Sequence, residues 1–206
     1  MKSSFVTLGF FLLGCLVGVY FMVDFDVHQA AVYVLYFLMV LIGINLGGNQ
    51  NIKEFFSQIR LKMLLVPLAT VSGTIVFSAI GGFLLSRWTT YDCMAVGCGF
   101  AYYSVSSILI TQLKSASLGV QVATELGTIA LLSNIFRELF ALIGAPLIRR
   151  YFGYLAPISA AGIGSSDITL DAISRCCGMN AVPIAVLHGL LINITMPFFV
   201  SFFCNL

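Results

Sequence analysis

Glu138 and Asp167 are the residues best placed to do chemistry in this sequence, since each is an acid set in a stretch that is otherwise apolar or small. A charged side chain at bilayer depth costs at least a few kcal/mol, about 3 at a helix centre. An acid retained there faces a cavity or a partner. Arg137 precedes Glu138 but leaves a helix about 100° away from it, so the two do not stack on one face. Asn134 and Glu138 do share a face at i, i+4, and Gly127 and Ala141 extend that stripe with small residues. Two readings stand side by side: an acid lining a polar path, or a structural charge paired with a distant arginine or placed at an interfacial turn.

Asp167 closes the string Gly162-Ile163-Gly164-Ser165-Ser166. Glycines loosen a helix and serines favour its N-cap, so the string predicts a break followed by a half-helix. Such an N-terminus offers N–H groups and a positive dipole end to a carboxylate. A second stretch resembles it: Gly97-Cys98-Gly99 runs on through Ser104 to Ser106-Ser107-Ile108, again a Gly-x-Gly pair before a Ser-Ser step. Two interrupted segments in one membrane chain fit the discontinuous helices of secondary transporters, and ordinary small-residue helix packing is the alternative. Together the features offer both poles an amino-acid zwitterion needs: backbone N–H groups for its carboxylate, and Glu138 and Asp167 for its ammonium groups. A carboxylate in such surroundings can exchange a proton against the bound cation. His188 lies in the last apolar run, where a buried neutral ring bonded to a carbonyl and a proton relay are both open readings. Asn193 suits an interhelical hydrogen bond, and Glu125 and Asp171 suit the interfaces.

The elements that must position these residues are membrane helices. Of 206 residues, 60% are hydrophobic and 9% charged, against about 25% charged in soluble domains. A soluble domain, a secreted disulfide scaffold, a disordered tail and a nucleic-acid binder are excluded. A net charge of +2 implies no polyanionic partner. Cys15, Cys93, Cys98, Cys176, Cys177 and Cys204 show neither paired CxxC spacing nor accompanying histidines, so we expect no metal site, and no cofactor is implied.

A bilayer core requires roughly 20 apolar residues per helix. We expect an all-α membrane protein of about five transmembrane helices, at residues 3–23, 27–52, 63–86, 93–113 and 176–206, plus broken or re-entrant Gly/Ser-rich segments. The first reads as a retained signal anchor, because Asp24, Phe25 and Asp26 do not form a small-residue cleavage site. The whole chain, 1–206, reads as one integral membrane domain. Residues 1–92 supply three spans, and residues 93–206 form a transport-site half with two discontinuous segments. Lys53, Arg60 and Lys62 put the loop after the second span in the cytoplasm. The N-terminus is then inside, the Arg87–Asp92 loop outside, Lys114 inside and the C-terminus outside. Between the last two spans, residues 115–148 are expected to leave and return as two half-length helices broken near residues 133–134, with Arg149 and Arg150 inside. Residues 151–175 are expected to form a re-entrant hairpin. One long tilted helix through 115–148 is the alternative.

Five patches carry a resemblance: Tyr102-Tyr103-Ser104-Val105-Ser106-Ser107-Ile108, Ser133-Asn134-Ile135-Phe136-Arg137-Glu138, Ala145-Pro146-Leu147, Ser165-Ser166-Asp167-Ile168-Thr169-Leu170 and His188-Gly189. In these, and in their order, the chain resembles the lysine exporter (LysO) family. The resemblance implies export of L-lysine and its toxic analogues across the bacterial inner membrane; joined to the proton exchange read from the acids, it gives the expectation of a secondary transporter, not an enzyme, working by antiport against protons or sodium. It places the family's intramembrane acidic pair on Glu138 and Asp167. Ser166 departs from the pattern, which has methionine there, as does Asp171, where it has proline. Longer members carry a further N-terminal membrane portion, so a small, separately encoded membrane subunit or a second copy of this chain is the expected partner. A cation- or proton-coupled carrier of another small substrate, and a non-transporting assembly subunit, remain as alternatives. An intramembrane aspartyl protease is disfavoured because two serines separate Gly164 from Asp167, and no Gly-x-Ser-x-Gly nucleophile turn accompanies His188.

Overall fold

In the computed structural model the chain forms two compact units, Met1–Leu46 and Gly47–Leu206. Residues 61–206 are described throughout, with isolated helical positions between Gly9 and Val40. The spans expected at residues 3–23 and 27–52 lie outside the described residues apart from those positions. The described residues form helices joined by short turns, with no strand among them. After a short 3-10 turn come α1 (Leu65–Leu84), α2 (Thr90–Gly97), α3 (Tyr103–Leu118), α4 (Val120–Phe152), α5 (Ala156–Ala161), α6 (Leu170–Cys177) and α7 (Val182–Cys204).

Three of these helices are long and apolar enough to cross a membrane: α1, α4 and α7 with its leading turn. The other four form two helical hairpins. Lys114, near the end of α3, pairs with Asp92, at the start of α2, at 2.9 Å, so α2 and α3 enter and leave from one end of the unit. Arg87, just after α1, pairs with Glu125 near the start of α4 at that same end. At the opposite end Arg149 of α4 bonds the Cys176 carbonyl of α6, which makes α5 and α6 a second hairpin entered from the other side. Cys204 closes α7 near enough to Lys114 and Asp92 to feel their charges, so α7 runs back to the first end. The order is long helix, hairpin, long helix, hairpin, long helix, with the hairpins inverted relative to each other. Inverted repeats of this kind are the frame of many secondary transporters.

Two expectations are corrected here. Residues 115–148 do not break near 133–134: α4 is one helix of 33 residues, about 50 Å at 1.5 Å per residue. Asn134 stays helical because its side-chain NH2 donates to the Ala130 carbonyl one turn back, at 2.9 Å. Residues 93–113 do not cross. The chain turns back at residues 98–102, and Lys114 ends beside Asp92 rather than at the opposite end. The expected hairpin at 151–175 is present, and Arg149 and Arg150 do lie at the end where α1 begins. The reversal that brings them there sits in α2–α3.

The tips of the two hairpins meet. Ile163 N–H donates to the Phe100 carbonyl at 3.0 Å, joining the two Gly/Ser breaks that the sequence marked out. Gly162 has φ +59, and a Cβ there would run into the Phe100 carbonyl oxygen and lie 2.9 Å from its carbon. Backbone stands on both sides and cannot give way. Gly162→Ala is therefore expected to destabilise the protein by about 2 kcal/mol or more, read as a lowered Tm in detergent. Gly164→Ala, whose Cβ would meet nothing closer than 3.6 Å, should leave Tm nearly unchanged. Equal Tm values for the two variants would contradict the crossing.

Candidate functional site

The site is the crossing of the two tips, held against the buried stripe of α4. That stripe runs through Ala123, Gly127, Ala130, Asn134, Glu138, Ala141 and Ala145, at the 3–4 spacing of one helix face. Small residues let both tips approach. Asn134 and Glu138 share this face, as the sequence indicated.

Phe100 and Ala101 turn the first hairpin with φ of 46° and 71°, left-handed values that cost a non-glycine residue about 1–2 kcal/mol each. Neighbouring side chains hold them there. Asn134 accepts from Ala101 N–H at 2.8 Å and donates to the Val96 carbonyl at 3.1 Å, so one amide ties both ends of the turn to α4. Arg137 lies over the Phe100 ring, 5.5 Å from its centroid. The same guanidinium donates to the Ala160 and Ser159 carbonyls at 3.2 and 3.3 Å, capping the short helix α5. Asn134 and Arg137 thus bind the two breaks to each other and to the long helix.

Glu138 is 6% exposed and, among the described residues, makes no hydrogen bond and no ion pair. The alternative in which a distant arginine neutralises it is not what the fold shows: the described ion pairs are Arg87–Glu125, Lys114–Asp92 and Arg175–Asp171. The charge nearest in effect to Glu138 is another acid, Asp167. Asp167 is exposed and accepts a hydrogen bond from Ile168 N–H. The two candidate acids, one buried and one exposed, therefore lie within electrostatic range of each other at the crossing, and Tyr102 lies within the same range of Asp167.

The half-helix at Asp167 does not offer its amides as expected. Asp167 N–H and Thr169 N–H both donate to the Gly164 carbonyl, and Leu170 N–H donates to the Asp167 carbonyl. With Ile168 N–H taken by the Asp167 carboxylate, every amide from 167 to 170 is used inside the turn. A carboxylate ligand needs a different donor.

Of the predicted serines, Ser165 is fully buried, its hydroxyl 2.8 Å from the Gly162 carbonyl, 2.9 Å from that of Ala185 and 3.0 Å from His188 Nδ1. Ser166 donates to the Ile163 carbonyl at 3.0 Å and packs on Gly189, where a Cβ would meet it at 2.6 Å. Ser106 is buried beside Gly99 and bonds the Tyr103 carbonyl at 3.3 Å. Ser104 and Ser107 sit on α3 past the turn, and neither hydroxyl bonds to the crossing. His188 is fully buried with hydroxyls at both ring nitrogens, Ser165 at Nδ1 and Thr70 at Nε2, the latter 2.9 Å away. Thr70 spends its own proton on the Val66 carbonyl, which leaves it an acceptor for His188 Nε2–H. Thr70 and Phe100 carried no signal in the sequence, being one hydroxyl and one aromatic in apolar runs. Glu125 and Asp171 sit in exposed ion pairs, in keeping with interfacial placement.

Comparison with known proteins gives the chain a family. The family described as lysine exporter LysO matches residues 8–204. The chain is 29% identical over 177 residues to the lysine exporter LysO of Escherichia coli (strain K12), covering 85% of this chain and 55% of that protein. It is 28% identical over 174 residues to a Haemophilus influenzae protein whose name assigns it provisionally to lysine export, covering 84% of this chain and 83% of that one. The chain thus spans about half the length of the Escherichia coli relative. No solved structure matches it.

Proposed function

We propose that this chain, which belongs to the lysine exporter LysO family, carries L-lysine and its analogues outwards across the bacterial inner membrane. The observation that carries the reading is Glu138, an acid buried at the crossing of two broken helices with no hydrogen bond and no ion pair among the described residues, and with Asp167 in electrostatic range. Two carboxylates so placed repel until a cation or a proton comes between them. A lysine ammonium group supplies the first and the coupling proton, or sodium, the second. Exchange of one for the other at the same pair is antiport. The inverted hairpins support alternating access around this point.

Orientation follows from Lys53, Arg60 and Lys62 ahead of α1 and from Arg149 and Arg150 at the far end of α4, which we place in the cytoplasm by the positive-inside rule. The N-terminus is then inside and the C-terminus of α7 outside. The greater length of the Escherichia coli relative supports a partner, either a small separately encoded membrane subunit or a second copy of this chain.

The test is efflux of labelled L-lysine from cells lacking other lysine exporters, with this chain expressed alone and together with any small membrane protein encoded beside it. Efflux, faster when an inward proton gradient is imposed, is the expected result. No efflux in either case, with the protein present in the membrane, removes lysine as the substrate.

A further inference from the structure

A cavity of about 520 Å³ lies between α1, α2, α4 and α5, lined in part by Thr74, Ser78, Ser133, Arg137 and Ser159. Its lining contains one cation and no acid. Most polar groups near it are satisfied, but these are not. Thr70, which also lines the cavity, and Thr124, Thr128 and Thr195 elsewhere in the helices turn their hydroxyls back onto their own helix carbonyls. Thr74, Ser78, Ser133 and Ser159 make no such bond among the described residues, so four hydroxyls on the lining are uncommitted. Arg137 adds donors of its own. A guanidinium has five N–H groups, and the carbonyls of Ala160 and Ser159 take one each from Nε and Nη2. The remaining three are uncommitted, and no described acid neutralises the charge.

A cation without a counter-charge, in a cavity rimmed by spare hydroxyls, suits a planar anion that a guanidinium can grip with two parallel bonds. Arg137 is also the immediate neighbour of Glu138 on α4, about 100° away around the helix, so anion-accepting and cation-accepting groups leave the same turn on adjoining faces. The amides of the second break, the other donors an amino-acid carboxylate would use, are consumed within their own turn. We infer that this cavity is the subsite for the α-carboxylate of the exported amino acid, with Arg137 as its ligand and the cavity hydroxyls as its supporting donors. The inference rests on the lysine reading above and adds to it the group that separates an amino acid from a simple diamine.

The probe is cadaverine, which has lysine's two amines and no carboxylate. Binding of labelled L-lysine to the purified full chain in lipid vesicles is competed with unlabelled L-lysine and with cadaverine, in chloride and in gluconate buffer. Wild type should favour lysine by about tenfold or more, the worth of a charge-assisted bidentate contact. Arg137→Gln should bring that preference close to one by weakening lysine and leaving cadaverine unchanged. Since Arg137 also caps α5, a second variant fills the cavity and leaves those bonds alone: Thr74→Phe should lower lysine affinity and spare cadaverine. A lysine preference unchanged in either folded variant overturns the assignment, as does a preference that moves only with chloride, which would give the cavity to an inorganic anion. Binding of cadaverine and lysine with equal strength by wild type overturns it while leaving the cation site standing. Binding of neither brings down the lysine reading itself.

Discussion

Glu138→Gln and Asp167→Asn each abolish lysine efflux, by about 100-fold or more, while the protein stays in the membrane at the wild-type level. The expectation comes from what the two acids are not doing. Glu138 bonds no described residue, so an isosteric amide removes its charge without removing a structural contact. Losing a charge-assisted contact to an ammonium group costs about 1.5–3 kcal/mol in binding, and losing the proton site as well stops the exchange. Replacing an unpaired buried charge by a neutral group should leave stability the same or slightly higher, because no compensating bond is given up. Asp167→Asn retains an oxygen able to accept from Ile168 N–H, so its turn also survives. Efflux at the wild-type rate in Glu138→Gln, with Tm in detergent unchanged, would show that the acid is a bystander. A fall in Tm of several degrees in the same variant would recast it as a structural group.

The parts of this site that were legible in the sequence are those encoded by local periodicity or by backbone permissiveness. The 3–4 spacing of Gly127, Asn134, Glu138 and Ala141 marked the buried stripe, and the paired glycines marked both breaks. What could not be read was direction. The first break lies inside an apolar run long enough to cross, and its turn is made by Phe100 and Ala101, left-handed without being glycine. No local rule announces such residues, because long-range partners hold them: Asn134 from 33 positions away, and Ile163 of the other tip. The same coupling explains the misreading of α4. A polar amide in mid-helix looks like a break until its partners in another hairpin are known. Arg137 was visible as a charge, but its carbonyl partners lie 22 and 23 positions away. Charge counting put Lys114 at the wrong end because it assumes that every apolar run crosses.

Lys114 carries the last large expectation. Its ammonium sits 2.9 Å from Asp92, with the two side chains 10% and 3% exposed. Asp92 is doubly committed, since its other oxygen accepts from the Thr89 amide at 3.1 Å and the Thr89 hydroxyl at 2.7 Å, closing the N-terminus of α2. Lys114→Met leaves that carboxylate buried without its cation, a change that costs about 3–5 kcal/mol and acts where the two arms of the hairpin are tied. A sharp loss of Tm in detergent is the expected result. The double variant Asp92→Asn with Lys114→Met should recover most of it, because asparagine keeps an oxygen for the Thr89 cap and no longer needs a counter-ion. A double variant no more stable than Lys114→Met alone would mean that the aliphatic stem of the lysine, rather than its charge, holds the hairpin. The tie lies at the mouth of the hairpin, and the proposed carboxylate and ammonium contacts lie at its tip. The rescued double variant should therefore keep the wild-type preference of lysine over cadaverine, which separates the element that positions the site from the groups that recognise the substrate.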